Sequence, residues 1–368
     1  MKQLGILIIV GALFAAMCGA SPFSFIFHSN VELEHSALFP VRLNGKWGYM
    51  NVSGKLVVQP RFEMAKDSSE GLARVYENET IGYVDSMGQV VIPPRYLQAH
   101  DFSEGLALVQ DAQGRVAFVD KTGNIVIDLT SLGVKSFPAQ VGSDFSEGLA
   151  AIEIGGKTGY VDRTGKMAIT PQFDAAYAFS EGLAAAERNG GSIHLFIDKS
   201  GREVFRTNAK FAETFSEGLA VVVIDGKYGY MDKTGKVVID PNFAYGSKFS
   251  QGLAAVKLRD RAYGKYGYID RNGRTALAAE YDYASDFSEG LAVVAVGSAM
   301  TNYGDFSRIE GGKWGYIDKS GHPVIGPKFD RAYRFREGLA RVEICKDTAD
   351  CKIGYINRSG QYVWNPTN

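Results

Sequence analysis

Glu217-Gly-Leu-Ala-Val-Val-Val-Ile224, then Asp225-Gly-Lys227, Tyr228-Gly-Tyr-Met-Asp232, Lys233-Thr-Gly235, Lys236-Val-Val-Ile239 and Asp240-Pro-Asn-Phe243: this stretch holds three apolar runs separated by two turn signals. Short runs rich in Val, Ile and Tyr between Gly- and Asp-containing breaks read as strands, so the stretch predicts a three-stranded antiparallel unit. In the second turn, Asp232 can bond the backbone two residues on. Gly235 supplies the positive φ that closes a type I turn with a glycine bulge. Pro241 lacks an amide hydrogen and is expected to end ladder pairing after the third strand, as are Pro60, Pro94, Pro171 and Pro327.

The same unit recurs along the chain. Glu-Gly-Leu, with Gln251 replacing Glu once, places glycines at Gly71, Gly105, Gly148, Gly182, Gly218, Gly252, Gly290 and Gly338, which are expected to be structural turn residues with positive φ. Most successive glycines are about 34 positions apart, with insertions, which is the signature of a repeat architecture. Turns of the form Asp-x-x-Gly, with Asn51 and Asn357 in place of Asp in the first and last, recur nine times, ending at Gly54 to Gly360. The prediction is an all-β chain of tandem repeats, three short strands each, stacked as a β-hairpin solenoid. A closed β-propeller is the second reading, set lower because so short a unit leaves little chain for a four-stranded blade.

Within the second strand, large rings alternate with glycine. Trp47 and Tyr49, Tyr228 and Tyr230, Tyr266 and Tyr268, and Trp314 and Tyr316 form a predicted aromatic ridge on one face, while the intervening glycine allows another backbone to approach. Ridge packing on the neighbouring unit would build the core. Rings left open to solvent would instead suit a carbohydrate or a choline-like cation.

These residues resemble the WG (KWG) repeat family: Lys46-Trp47-Gly48-Tyr49, Lys313-Trp314-Gly315-Tyr316-Ile317-Asp318, and Pro327-Lys328-Phe329-Asp330 leading to Phe335-Arg336-Glu337-Gly338-Leu339-Ala340. The likeness covers about residues 41 to 364. Departures occur where Trp becomes Tyr228, Tyr266, Thr158, Ile81 or Ile353, and where Ala117-Phe118 and Leu195-Phe196 lose the glycine. The resemblance implies a repeat module with no generally established activity. A looser similarity to choline-binding cell-wall hairpin repeats rests on the Gly-aromatic hairpins alone.

The chain has 368 residues and a formal net charge of -1, which argues against a nucleic-acid partner, since phosphate neutralisation needs a basic surface. Lys2, an apolar run from Leu4 to Met17 and the small residues Gly19, Ala20 and Ser21 read as a signal peptide over residues 1–20, too short in its apolar part to span a bilayer. The mature chain is expected to be exported, with no transmembrane segment. Lipid anchoring at Cys18 is a second reading, weakened by Met17 where a bacterial lipobox takes Gly or Ala. Residues 21–40 form an unassigned lead-in, 41–364 the repeat domain of eight to nine units, and 365–368 a tail. Removal of the signal leaves Cys345 and Cys351, six positions apart and placed to staple a hairpin in an oxidising compartment.

Repetition weighs against catalysis. The glutamates of the Glu-Gly-Leu phrase are equivalent copies, whereas an active site needs one tuned carboxylate or a matched pair. No nucleophile elbow, Walker loop or dinucleotide fingerprint occurs. The turn aspartates supply too few oxygens for calcium, and two cysteines without nearby histidine too few ligands for zinc. The expectation is a non-enzyme without metal or cofactor. Its partner, a protein or a cell-envelope glycan, is sought where repeats differ: the loop that is minimal from Gly71 to Gly82 lengthens from Gly252 to Gly267, Gly290 to Gly315 and Gly338 to Gly354. The inserted Arg259, Arg261, Tyr263, Tyr303, Phe306 and Arg308 are candidate binding anchors. Another insertion, Leu129 to Ser143, enlarges a connector elsewhere on the unit.

Overall fold

The computed structural model describes residues 37–137, 143–258, 264–303, 306–346 and 350–368. The signal segment, Cys18 and most of the lead-in lie outside the described residues. Those described contain no helix long and apolar enough to cross a membrane.

Strands alone build the fold. Among the described residues, nine units open their first strands at Phe39, Leu72, Leu106, Leu149, Ala184, Leu219, Leu253, Leu291 and Leu339, and every strand pair is antiparallel. Strand pairing begins at Phe39 and ends with Tyr362–Thr367, so part of the lead-in and the expected tail belong to the first and last units. The three-strand reading needs correction. In the later units the connector adds a two-residue edge strand, such as Ala175–Ala176, Tyr245–Gly246 or Tyr283–Ala284, making four-stranded sheets. So short a strand needs almost no chain, which is why the repeat length accommodates it. The sheet of Leu149–Ile154 has only three strands, and the preceding insertion fills its core with Leu129 and Val134 instead.

The prolines also differ from expectation. Pro241 lies inside Val237–Phe243, where pairing passes from Tyr230↔Ile239 to Tyr228↔Phe243, so the ladder resumes beyond it. Proline occupies a bulge in which no amide is needed, facing the glycine of the Gly-aromatic strand. A Cβ on Gly229 would meet the Ile239 carbonyl oxygen at 2.7 Å, so only glycine lets the bulged backbone come this close.

The predicted turns are present. Asp232 Oδ1 accepts from the amides of Thr234 and Lys236 at 2.9 and 3.1 Å, and Gly235 has φ of 84°. Its carboxyl is held below the ordinary value by the Thr234 hydroxyl first, and with those two amides this outweighs the opposing effect of burial. At Asp198 the Ser200 hydroxyl, with the Arg202 and Ser200 amides, brings it down to about 2. A group depressed in the folded state contributes stability above its unfolded value of 3.8 and loses it as pH falls through the folded value. The transition temperature is therefore expected to be flat from about pH 8 to 5 and to fall between about pH 4 and 2. A scan showing no loss between about pH 4 and 2 would contradict this reading of the turns.

Each Ser-Glu-Gly-Leu phrase is itself a two-residue hairpin turn. Ser216 and Leu219 exchange backbone hydrogen bonds of 2.9 and 3.2 Å, and both central residues are left-handed, Glu217 at 54° and Gly218 at 81°. The glycine φ was legible in the sequence; the strained glutamate was not. Its conformation is held by the next unit. The Gly252 amide donates to the Glu217 carboxylate at 2.9 Å, while the Ser216 hydroxyl donates to the Phe249 carbonyl at 2.8 Å. The glutamates thus act in geometry.

Alternate residues of a strand face opposite neighbours, so both faces are buried. Leu219 and Val221 pack against the unit that follows, and Ala220 and Val222 against the unit before. Of the predicted ridge, Tyr49, Tyr230, Tyr268 and Tyr316 are fully buried between units, and their hydroxyls donate to backbone carbonyls such as Ser247 at 2.8 Å from Tyr230. This corrects the reading of these rings as an open carbohydrate or choline-like surface. A linear stack of nine units has eight interfaces. Here a ninth core joins the last unit to the first, with Leu339, Ile353 and Tyr355 against Phe39, Val41 and Met50.

Candidate ligand-binding rim

The end units meet through specific polar contacts as well as through that core. The Tyr355 hydroxyl donates to the Pro40 carbonyl at 2.8 Å, and its ring meets Phe39 edge-on at 5.5 Å. Arg336 stands where other units have the serine of Ser-Glu-Gly-Leu. Its longer arm donates to the Ser68 and Leu38 carbonyls at 2.8 and 3.2 Å, and its guanidinium lies 3.5 Å from the Asp67 carboxylate. The first unit lacks the Glu-Gly phrase, having Ser36-Ala37 before Leu38 where the second unit has Glu70-Gly71 before Leu72, and the longer arginine reaches it where other units use serine.

The enlarged loops stand at the end of the units opposite these turns. Leu291–Tyr303 and Phe306–Asp318 form one hairpin of 13-residue strands, against six residues each in Leu219–Ile224 and Lys227–Asp232. The added length is about 24 Å at the usual rise per residue. Tyr303 and Phe306 are opposite one another near its tip, and Arg308 pairs with Thr301. Arg259, Arg261 and Tyr263 lie outside the described residues. In the last unit, Cys345 and Cys351 are cross-strand partners joined by a disulfide. The Glu343 carboxylate and these two sulfurs lie within 4.8 Å of one another, but sulfurs bonded to each other do not offer the thiolates that a metal takes.

An aspartate just before each of the short edge strands Tyr283–Ala284 and Arg331–Ala332 ties one of these loops down. Asp282 accepts from the Ser298 amide at 3.1 Å and Asp330 from the Cys345 amide at 2.8 Å, while Lys265 and Lys313 pair with the same two carboxylates. Tyr283 follows Asp282 directly, and Tyr333 lies on the segment opened by Asp330. The loop bases and these tyrosines therefore share one rim.

Rings of graded exposure, from buried Tyr266 to exposed Tyr245, continue along it. Tyr228 and Tyr245 have centroids 5.5 Å apart, Tyr245 and Tyr266 5.6 Å, Tyr266 and Tyr283 6.0 Å, and Tyr283 and Trp314 4.9 Å. Burial pushes the Tyr266 hydroxyl up to about 12, with the neighbouring Tyr283 and Tyr228 adding to it. Tyr245 and Tyr333 remain 38% and 42% exposed. They open onto a cavity of about 300 Å³ lined also by Tyr283, Asp286 and Arg334. Asp286 and Arg334 form an ion pair at 3.2 Å. An adjoining cavity of about 490 Å³ shares Tyr333 and Arg334 and reaches Phe39 and Tyr355 at the contact between the end units. Burial, and then the Asp286 charge, raise the carboxyl of nearby Glu213 above its ordinary value.

Sequence reasoning missed Tyr245, Tyr283, Tyr333, Asp286 and Arg334. They fall in connectors, and the available signal was an aromatic or charged residue at a fixed offset before Phe-Ser-Glu-Gly: Tyr245 and Tyr283 each stand four positions before Phe249 and Phe287.

A sequence model of the WG containing repeat matches residues 47–80, 81–112, 159–191, 196–228, 228–261, 266–298 and 314–344. The chain belongs to the WG-repeat family. The stretch between the second and third matches contains Ala117-Phe118, where the glycine is lost, and the insertion at Leu129. No curated protein matches the WG-repeat chain by sequence. Among solved structures, it is similar to Porphyromonas gingivalis dipeptidyl peptidase 4, with 9% identity over 82% of this chain and 58% of that one and a TM-score of 0.51. It is also similar to BamB from Moraxella catarrhalis, with 14% identity over 70% and 90% and a TM-score of 0.42. A third similarity is to the WD40 β-propeller domain of Doa1, with 13% identity over 60% and 86% and a TM-score of 0.30. At these identities the likeness is one of fold alone.

Proposed function

We propose that this WG-repeat protein is an exported, non-catalytic β-propeller of nine blades that holds a cell-envelope ligand on the rim of its last three units. Closure is supported by the ninth core between Tyr355 and Phe39 and by the arginine that spans the missing first phrase. The disulfide is in keeping with an oxidising compartment. Against catalysis stands the use of the repeated carboxylates: Glu181 has its partial burial outweighed by bonds from Lys233 and the Gly218 amide, which hold it below its ordinary value and ionised, in a structural bond.

The observation that carries the binding reading is the lengthening of one loop in three consecutive units, with the long hairpin rooted beside Tyr283. In a ring these loops stand side by side, and the other units keep that edge low. Replacing residues 299–310 by a short Gly-Ser link is expected to abolish capture of envelope material by the immobilised protein. The thermal transition should move by no more than about 2 °C, because a projecting hairpin contributes little to the cores. Full capture by the shortened protein would defeat this assignment of the rim.

A further inference from the structure

We infer that the two adjoining cavities bind a neutral oligosaccharide, whose sugar rings lie on the exposed faces of Tyr245 and Tyr333 and whose hydroxyls bond the Asp286–Arg334 pair. This rests on the rim reading above and names the ligand class. Three observations carry it.

The rings are held before any ligand arrives. Tyr245 is braced between Tyr228 and Tyr266, and Tyr333 donates its hydroxyl to Glu343 at 3.0 Å beneath the Arg341 guanidinium, which lies 5.0 Å from the ring centroid. An exposed aromatic face fixed in this way offers apolar area without the entropy cost of ordering it, and the C–H face of a pyranose is a flat apolar surface of matching size.

The walls are polar, and each arginine on them is already paired. Arg334 pairs with Asp286, Arg336 with Asp67, and Arg341 with Glu343, a carboxylate that Arg331 shares. An ammonium or carboxylate ligand would have to compete with a salt bridge already made. A pair of hydroxyls would not, since one can accept from a remaining guanidinium N–H while its neighbour donates to the carboxylate.

The space has two compartments. Each cavity approaches or exceeds the lower end of the usual range for small-ligand sites, and Tyr333 and Arg334 form a wall common to both. One sugar residue on each side of that wall suits a chain better than a single ring.

The test uses the whole mature protein with maltohexaose, cellohexaose and chitohexaose as probes, followed by titration calorimetry and tyrosine fluorescence. At least one probe is expected to bind with an affinity indifferent to added salt. Tyr245→Ala and Asp286→Asn should each weaken it by about tenfold or more, as loss of a central anchor does, while Tyr245→Phe, which keeps the ring, retains it. Unchanged thermal transitions would show that both variants fold. Failure of all three probes to bind at about 10 mM, well above the range of specific sites, overturns the inference. So does binding that both variants leave intact, or an affinity that falls steeply with salt. In the envelope-capture assay, loss on removing residues 299–310 without loss in Tyr245→Ala leaves the rim reading standing and overturns the sugar. Capture unaffected by either change overturns both.

Discussion

Replacing Tyr355 by alanine is expected to destabilise the whole protein by about 3–5 kcal/mol, the cost of emptying a large buried aromatic site. The ring is 3% exposed in the core shared by the last and first units, and its hydroxyl bonds Pro40 across 315 positions of sequence. In an open array the same change would strike a terminal interface, and only the end unit would fray while the rest unfolded as before. In the proposed ring every interface is internal. Tyr355→Ala should therefore behave like Tyr230→Ala in the sixth unit, with one cooperative transition shifted downward in both. A separate early transition in Tyr355→Ala, above which the main transition is unmoved, would contradict the closed arrangement.

Gly315→Ala is expected to cost about 1–3 kcal/mol by overpacking. A Cβ there would stand 2.5 Å from the Ile325 carbonyl oxygen and 2.8 Å from the Pro327 nitrogen, both backbone atoms that no rotamer change can move. Gly182→Ala is the control, at φ of 88° with nothing within 4 Å of the added carbon, so it tests conformation without collision. Its cost should be nearer 1 kcal/mol, roughly that of left-handed backbone for an ordinary residue. Urea unfolding of the two variants measures the difference. Equal losses would mean that the bulge beside Pro327 yields, and that the glycine of the WG phrase is not required by close approach.

These contrasts also mark how far the sequence could be read. Local chemistry was legible because it repeats with its cause attached: Asp232 and Gly235 specify a turn by their own hydrogen bonds and φ, and Cys345 and Cys351 meet because a hairpin lies between them. Gly48 and Gly229 were recognisable as sites of close approach, but not the partner, since a proline read as a strand end looks the same as one seated in a bulge. Ala175–Ala176 carries no alternating pattern, being two residues long, so the fourth strand had no signal. The contact between the end units was hidden for a related reason. It involves Ser36-Ala37 standing in place of Glu-Gly and Arg336 in place of serine, and a departure from the pattern at the chain's two ends reads as decay until both ends are seen in contact.

The rim was half legible. Loop lengths pointed to the last units, and Cys345 and Asp330 fix one of those loops beside Tyr333. The cavity residues were not, because Asp286 and Arg334 lie in consecutive connectors, one unit apart, and acquire meaning only as a pair. Conversely, the regular Tyr49, Tyr230, Tyr268 and Tyr316 drew notice by their period, and that period is the mark of the core they fill.

Small-angle X-ray scattering from residues 35–368, which form one compact unit, tests the proposed closed ring most directly. A closed propeller of this length should give a radius of gyration near 20 Å, about the value for a globular domain of the same size, with a single symmetric distance distribution. Nine sheets stacked about 10 Å apart in an open solenoid would instead extend to roughly 90 Å. A rod-like distribution with a long tail towards that length would contradict the ring on which the seam, the rim and its neighbouring loops all depend.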